Sequence, residues 1–149
     1  MDVLRKKLKI ALVQMRCEKR AGSENLGRMI AYLEEAVAYG AEVVCFPDMC
    51  IPGYVDPSKC PSGILHWNGP EVKHVLEWSN GKPVTGIVGI VEKNPDGRPF
   101  ISQGVVRDGR LSGTYRKHTI DDQETNWFAA GESLPVFHHP GLTFGVAIC

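Results

Sequence analysis

The sequence predicts a mixed α/β fold, with a parallel opening, antiparallel strands after it and the helices on one face of the sheet. Three observations predict this. An apolar strand, an amphipathic helix and a second apolar strand occupy residues 8–46. Strand-like segments joined by tight turns fill residues 84–115. Residues 135–149 read as a closing hairpin around Pro140-Gly141.

Leu8–Met15, rich in apolar residues, is the first strand. Ser23 is placed as the N-cap of a helix in which Leu26, Met29, Ile30, Leu33 and Val37 recur at spacings of three and four, giving one apolar face. Gly40 is placed to end it in a left-handed cap. Glu42–Phe46, bounded by Gly40 and Pro47, is a short buried strand. Strand, helix and strand at this spacing form a βαβ-like unit with parallel pairing.

Residues 47–69 are irregular and rich in Pro, Gly and Cys, and a loop this long in a compact domain is a place to look for function. Pro70 suits the first turn of a helix that runs to Ser79 with Val72, Val75 and Leu76 inward, closed by Asn80-Gly81. Val84–Glu92 is a strand whose two glycines imply close approach of another element. After the turn Asn94-Pro-Asp-Gly97, the strand Phe100–Arg107 turns at Asp108-Gly109 and returns as Arg110–Tyr115. A second irregular stretch, Lys117–Leu134, precedes the final hairpin, Pro135–His138 and Leu142–Cys149. Such a sheet needs its other face covered, by more chain or by a second copy.

At 149 residues the chain suffices for one domain with a sizeable core. Lys+Arg and Asp+Glu balance at 17 each, so nothing argues for a nucleic-acid or membrane-surface partner. No apolar run approaches the roughly 20 residues of a membrane span. The basic Met1–Lys9 lacks the pattern of a signal peptide and reads as a solvated lead-in to the first strand. Five cysteines, odd in number and without CxxC spacing, argue against a disulfide framework or a paired-CxxC zinc site and fit a reducing cytoplasm. Cys50, Cys60 and His66 match no standard zinc spacing, and His138-His139 reads as a solvated hairpin end. No cofactor or metal is expected; there is no Walker loop, no GxGxxG after a strand and no GxSxG elbow.

Three reactive or charged residues stand at the ends of predicted strands: Asp48, Lys117 and Cys149. Strand ends are where loops gather to build sites. Together the three have a joint chemistry. The carboxylate takes the thiol proton, the thiolate attacks a carbonyl or nitrile carbon, and the lysine stabilises the developing charge. Singly, each has a plain structural reading as well: Asp48 as a turn or capping aspartate, Lys117 as a solvated strand-end charge, Cys149 as an inert core thiol.

Three blocks, Phe46-Pro-Asp-Met-Cys-Ile-Pro-Gly-Tyr54, Gly113-Thr-Tyr-Arg-Lys-His118 and Gly145-Val-Ala-Ile-Cys149, resemble in order the signature blocks of the carbon–nitrogen hydrolase (nitrilase) superfamily, and Lys9-Ile-Ala-Leu-Val-Gln14 resembles its first strand. The resemblance implies an α-β-β-α sandwich with a Glu-Lys-Cys site. It assigns Lys117 as the lysine, Cys149 as the nucleophile and Asp48 to the base position. The family pattern is Phe-Pro-Glu where this chain has Phe-Pro-Asp, about one methylene shorter, so the proton-transfer contact must be restored by backbone, thiol or water. Glu124 resembles a second acidic residue that orients the lysine and the substrate; its plain reading is an exposed loop glutamate. Tyr54, Trp127 and Phe128 are candidates for the pocket wall or for ordinary packing.

The resemblance further implies a cytoplasmic, cofactor-free hydrolase of a small amide or N-carbamoyl substrate, with an amide preferred to a nitrile, working as a homo-oligomer. The alternative is an impaired family member that binds a small molecule or a partner. A family domain extends past the cysteine, whose next residue supplies an oxyanion-hole N–H. The expectation is therefore that residues 1–149 are one domain, incomplete at its carboxyl end, supplying about the first half of the sandwich as a fragment of a longer molecule.

Overall fold

The computed structural model describes residues 7–149; the reading of Met1–Lys9 as a lead-in lies largely outside them. The elements in order are β1 (Ile10–Leu12), α1 (Gly22–Ala38), β2 (Val43–Cys45), β3 (Ile64–Leu65), α2 (Pro70–Ser79), β4 (Thr85–Glu92), β5 (Phe100–Arg107), β6 (Arg110–Arg116), β7 (Val136–His139) and β8 (Leu142–Gly145). One sheet runs β1-β2-β4-β5-β6, with β3 also paired to β4; β7 and β8 form a second, two-stranded sheet.

The pairings follow the predicted plan. β1, β2 and β4 are parallel, while β4, β5 and β6 are antiparallel. β4 is buried along its whole length, which explains its near-continuous apolar run. β2 and β3 pair with the same edge of β4 at opposite ends, Val43–Cys45 opposite Thr85–Ile87 and Ile64–Leu65 opposite Val91–Glu92. The chain between them leaves the sheet at Pro47.

Side-chain alternation separates two faces. Val44, Val88, Ile90 and Val106 meet Met29, Leu33, Val72 and Val75 of the two helices. Val43, Ile87, Val105 and Tyr115 meet Phe137, Leu142 and Phe144 of the β7–β8 hairpin. The layers are thus helices, main sheet and a second sheet begun by the hairpin, the mixed α/β arrangement that was expected. On the helix side, Arg116 pairs with the buried Glu92 at 2.6 Å and stacks 4.2 Å from the Phe100 ring centre.

Several local expectations are corrected. The first strand is three residues long, because its partner β2 ends where Pro47 turns away. The N-cap of α1 is Ala21, with no side-chain cap, rather than Ser23. Tertiary bonds set that helix start: the buried Asn25 amide donates to the carbonyls of Glu18 (2.7 Å) and Ile51 (3.0 Å), and its oxygen accepts from the Glu18 N–H (2.9 Å). The stretch 47–69 contains a 3₁₀ turn, Pro61–Gly63, and β3. The last strand ends at Gly145, so Cys149 lies four residues beyond it. His138 is exposed as expected of a hairpin end, but His139 is buried, its Nδ1 2.8 Å from Thr85 Oγ1, because the strand alternation turns it onto the sheet.

The turn chemistry matches the sequence. Gly40 and Gly81 adopt positive φ after their helices, and Asp108 (φ 47°) with Gly109 (φ 71°) makes the left-handed pair that a two-residue hairpin demands.

Candidate functional site

β5 reverses β4 and β6 reverses β5, so β6 runs in the same direction as β2. The carboxyl ends of β2 and β6 therefore lie at one edge of the sheet, and Asp48 and Lys117 leave from it. Lys117 extends the ladder by one residue, its N–H donating to the Ile101 carbonyl at 2.7 Å, and its own carbonyl accepts from the Gly131 N–H at 2.8 Å. Alternation turns Arg116 toward the helices and Lys117 toward the face that carries the hairpin.

The turn bearing Asp48 is pressed onto β4. The Phe46 N–H donates to the Ile87 carbonyl (3.0 Å), and the Ile51 N–H to that of Gly89 (3.3 Å). The buried Gln103 amide donates to the Phe46 carbonyl at 3.0 Å. Gly89 permits this approach: a β-carbon there would stand 2.6 Å from the Met49 nitrogen and 2.8 Å from Asp48 Cα. Burial pushes the half-buried Asp48 carboxyl above its ordinary value, the Lys117 ammonium opposes this, and the Glu124 carboxylate adds to it. A carboxyl of raised proton affinity is better suited than an ordinary aspartate to take a proton from a thiol.

Lys117 and Glu124 are 4% and 6% exposed, and Lys117 Nζ donates to Glu124 Oε2 at 2.7 Å. The other carboxylate oxygen, Oε1, accepts from the Tyr54 hydroxyl at 3.2 Å. Neither the solvated reading of Lys117 nor the exposed-loop reading of Glu124 fits this burial. A tight turn presents Glu124: its N–H donates to the Asp121 carbonyl, and the Trp127 and Phe128 N–H groups donate to its own carbonyl, each at 2.9 Å.

Asp48 and Cys149 line one cleft of about 350 Å³, together with Cys45, Ile87, Gln103 and Ile148. Cys149 is exposed there. Lys117 is not part of that lining, though its ammonium interacts electrostatically with Asp48, which is. Tyr54 and Trp127 line a second cleft of about 300 Å³, whereas Phe128 is fully buried and packs with Met49, Val91 and Ile101. Three lining residues outside the sequence blocks, Cys45, Ile87 and Gln103, were not anticipated from sequence. Gln103 left a signal, an amide that strand alternation puts on the same face as Ile101 and Val105. Among the described residues no three His, Cys, Asp or Glu side chains converge as a metal-ligand set.

Comparisons with known proteins fit this geometry. A family model described as carbon–nitrogen hydrolase matches residues 9–149. The chain is 28% identical over 148 residues to a glutamine-dependent NAD(+) synthetase of Acinetobacter baylyi, a match covering 97% of this chain and 27% of the synthetase. It is 30% identical over 112 residues to a formamidase of Pseudomonas syringae pv. tomato, covering 74% of this chain and 33% of the formamidase. The crystal structure of Saccharomyces cerevisiae Nit3, a member of branch 10 of the nitrilase superfamily, shares its fold at a TM-score of 0.82 and 22% identity, over 95% of this chain and 55% of Nit3. The chain thus spans between about a quarter and about half of the proteins it matches.

Proposed function

Because the chain belongs to the carbon–nitrogen hydrolase family, we propose that it hydrolyses a small amide or N-carbamoyl compound through a thioester on Cys149. Asp48 takes the thiol proton as the sulfur attacks the carbonyl carbon. The Lys117 ammonium, held by Glu124, stabilises the negative charge that develops on the oxygen. The proton passes from Asp48 to the departing nitrogen, the C–N bond breaks, and ammonia or an amine leaves. Asp48 then draws a proton from water, which attacks the thioester carbonyl and releases the acid and the thiol.

The observation that carries this reading is the cleft that Asp48 shares with Cys149, beside a sheet edge from which the buried Lys117–Glu124 pair also leaves. The reading takes an amide rather than a nitrile as substrate, in keeping with the 30% identity to a formamidase. A homo-oligomer in the cytoplasm belongs to the same reading, and sedimentation tests the assembly.

Quenched-flow assay with formamide, acetamide and N-carbamoylglycine tests the chemistry. The expected result is a burst of ammonia stoichiometric with protein and an acyl mass adduct on the Cys149 peptide. Absence of both with all three overturns it. An Asp48→Glu variant separates two states of the site. A gain in rate means the shorter carboxylate limits the reaction, and a loss means the turn on β4 is fitted to aspartate. If both forms are inert and Cys149 resists iodoacetamide, a binding protein is the better account.

A further inference from the structure

The Lys117–Glu124 pair is completed by a residue from a different loop. Tyr54 lies six residues after Asp48, and its hydroxyl donates to Glu124 Oε1 while Lys117 occupies Oε2. Among the described residues no other side chain bonds to Oε1. A buried ion pair favours the fold only when its remaining lone pairs are satisfied, so the tyrosine supplies what the pair lacks. Glu124 has three side-chain torsions; the turn fixes its backbone, and the two bonds to its carboxylate fix the rest.

The backbone that presents Tyr54 is held independently of Glu124. Gly53, at φ 73°, lies so close to the Glu18 backbone that a β-carbon would stand 2.5 Å from the Glu18 oxygen. The Gly53 N–H donates to the Met49 carbonyl at 2.8 Å, and Asn25 ties Glu18 to Ile51. The tyrosine is 45% exposed, so the bulk of the core does not depend on it. Partial burial, and then the Glu124 carboxylate, push its hydroxyl above the ordinary value, which keeps it a donor.

Resting on the reading of the site given above, we propose that Tyr54 is a positioning residue: its hydroxyl sets the Glu124 carboxylate, and through it the Lys117 ammonium, so that the Asp48 loop and the Lys117 loop act as one unit. It touches neither the reacting carbon nor the thiol. Its loss therefore lowers kcat and spares KM, because a misplaced charge costs mainly at the transition state.

The test is Tyr54→Phe, which keeps the ring. Two readouts are taken: the ¹H–¹⁵N signal of the Lys117 ammonium, which needs no substrate, and kcat and KM on formamide. The expected outcome is a modest fall in melting temperature with the fold retained, a Lys117 signal that shifts or broadens, and a fall in kcat of about 10- to 100-fold with KM within about twofold. An unchanged Lys117 signal overturns the proposal whatever the kinetics show. A loss confined to KM also overturns it, since that is a substrate contact. If the native protein turns over no amide, the hydrolase reading fails, and the Lys117 signal alone decides the role of Tyr54.

Discussion

Lys117 Nζ and Glu124 Oε2 lie 2.7 Å apart, with both side chains at most 8% exposed. Removing one partner of such a pair strands the other charge in low dielectric. Lys117→Met is expected to cost about 3–5 kcal/mol of stability. Lys117→Met with Glu124→Leu is expected to recover most of that loss while leaving no activity, because two apolar groups need no compensation. Urea denaturation midpoints of the two variants check this. A double variant as unstable as the single one would show that the site needs the ions for folding.

Asp48 predicts two opposite pH effects from one cause. Its folded-state pKa is raised above the ordinary 3.8, first by burial. Between those two values the folded protein holds more proton than the unfolded chain. The stabilisation is full below the ordinary aspartate range and is lost as pH rises through the raised value. Asp48→Asn is therefore expected to gain in melting temperature relative to the native protein as pH rises from 3.5 to about 7, and to be inactive. In the native protein the acid limb of kcat/KM is expected above the ordinary aspartate range. A melting-temperature difference that does not change with pH contradicts the burial account.

Gly89 is the floor beneath Asp48. A methyl group there meets backbone on three sides, at Met49, Asp48 and Pro47 (2.6–2.8 Å), and backbone yields less readily than a side-chain end. Gly89→Ala is expected to destabilise by about 1–3 kcal/mol or more, and to lift the Asp48 turn off β4. Chemical denaturation gives the first quantity. Faster amide exchange at Ile51, whose N–H bonds to the Gly89 carbonyl, reports the second.

The fold was legible where local rules and tertiary structure agree. Positive φ at Gly40 and at Asp108-Gly109 follows from short-range sterics, and β4 announced itself as a near-continuous apolar run. The cap at Ala21 was not legible, because Asn25 sets that helix start through bonds to residues seven positions before it and 26 after it. In the site, Asp48 and Lys117 were found as strand-end charges, and the residue blocks placed them in order. What pattern could not supply was Tyr54 on Glu124, a bond between residues 70 apart. Nor could it show that strand β8 stops at Gly145 and delivers Cys149 to the cleft as irregular chain.

The five thiols give the most direct test of the cleft. Cys50 is fully buried, its sulfur accepts from the Gly89 N–H at 3.2 Å, and burial pushes its pKa up to about 12. Burial also raises Cys45, and it raises Cys17 with the Asp48 carboxylate adding to the effect. Cys60 is buried, and only Cys149 is exposed. Alkylation requires both access and thiolate. Limiting iodoacetamide at pH 7.5, followed by peptide mass spectrometry, is expected to label Cys149 first, Cys17 and Cys45 much more slowly, and Cys50 only on unfolding. Asp48→Asn is expected to slow Cys149 labelling and to quicken that of Cys17, since in the proposed mechanism the carboxylate assists proton removal at the first thiol, and it raises the pKa of the second. Cys149 labelling that is indifferent to Asp48 would mean that the two share a cleft without sharing a proton, and would leave the aspartate without its proposed role.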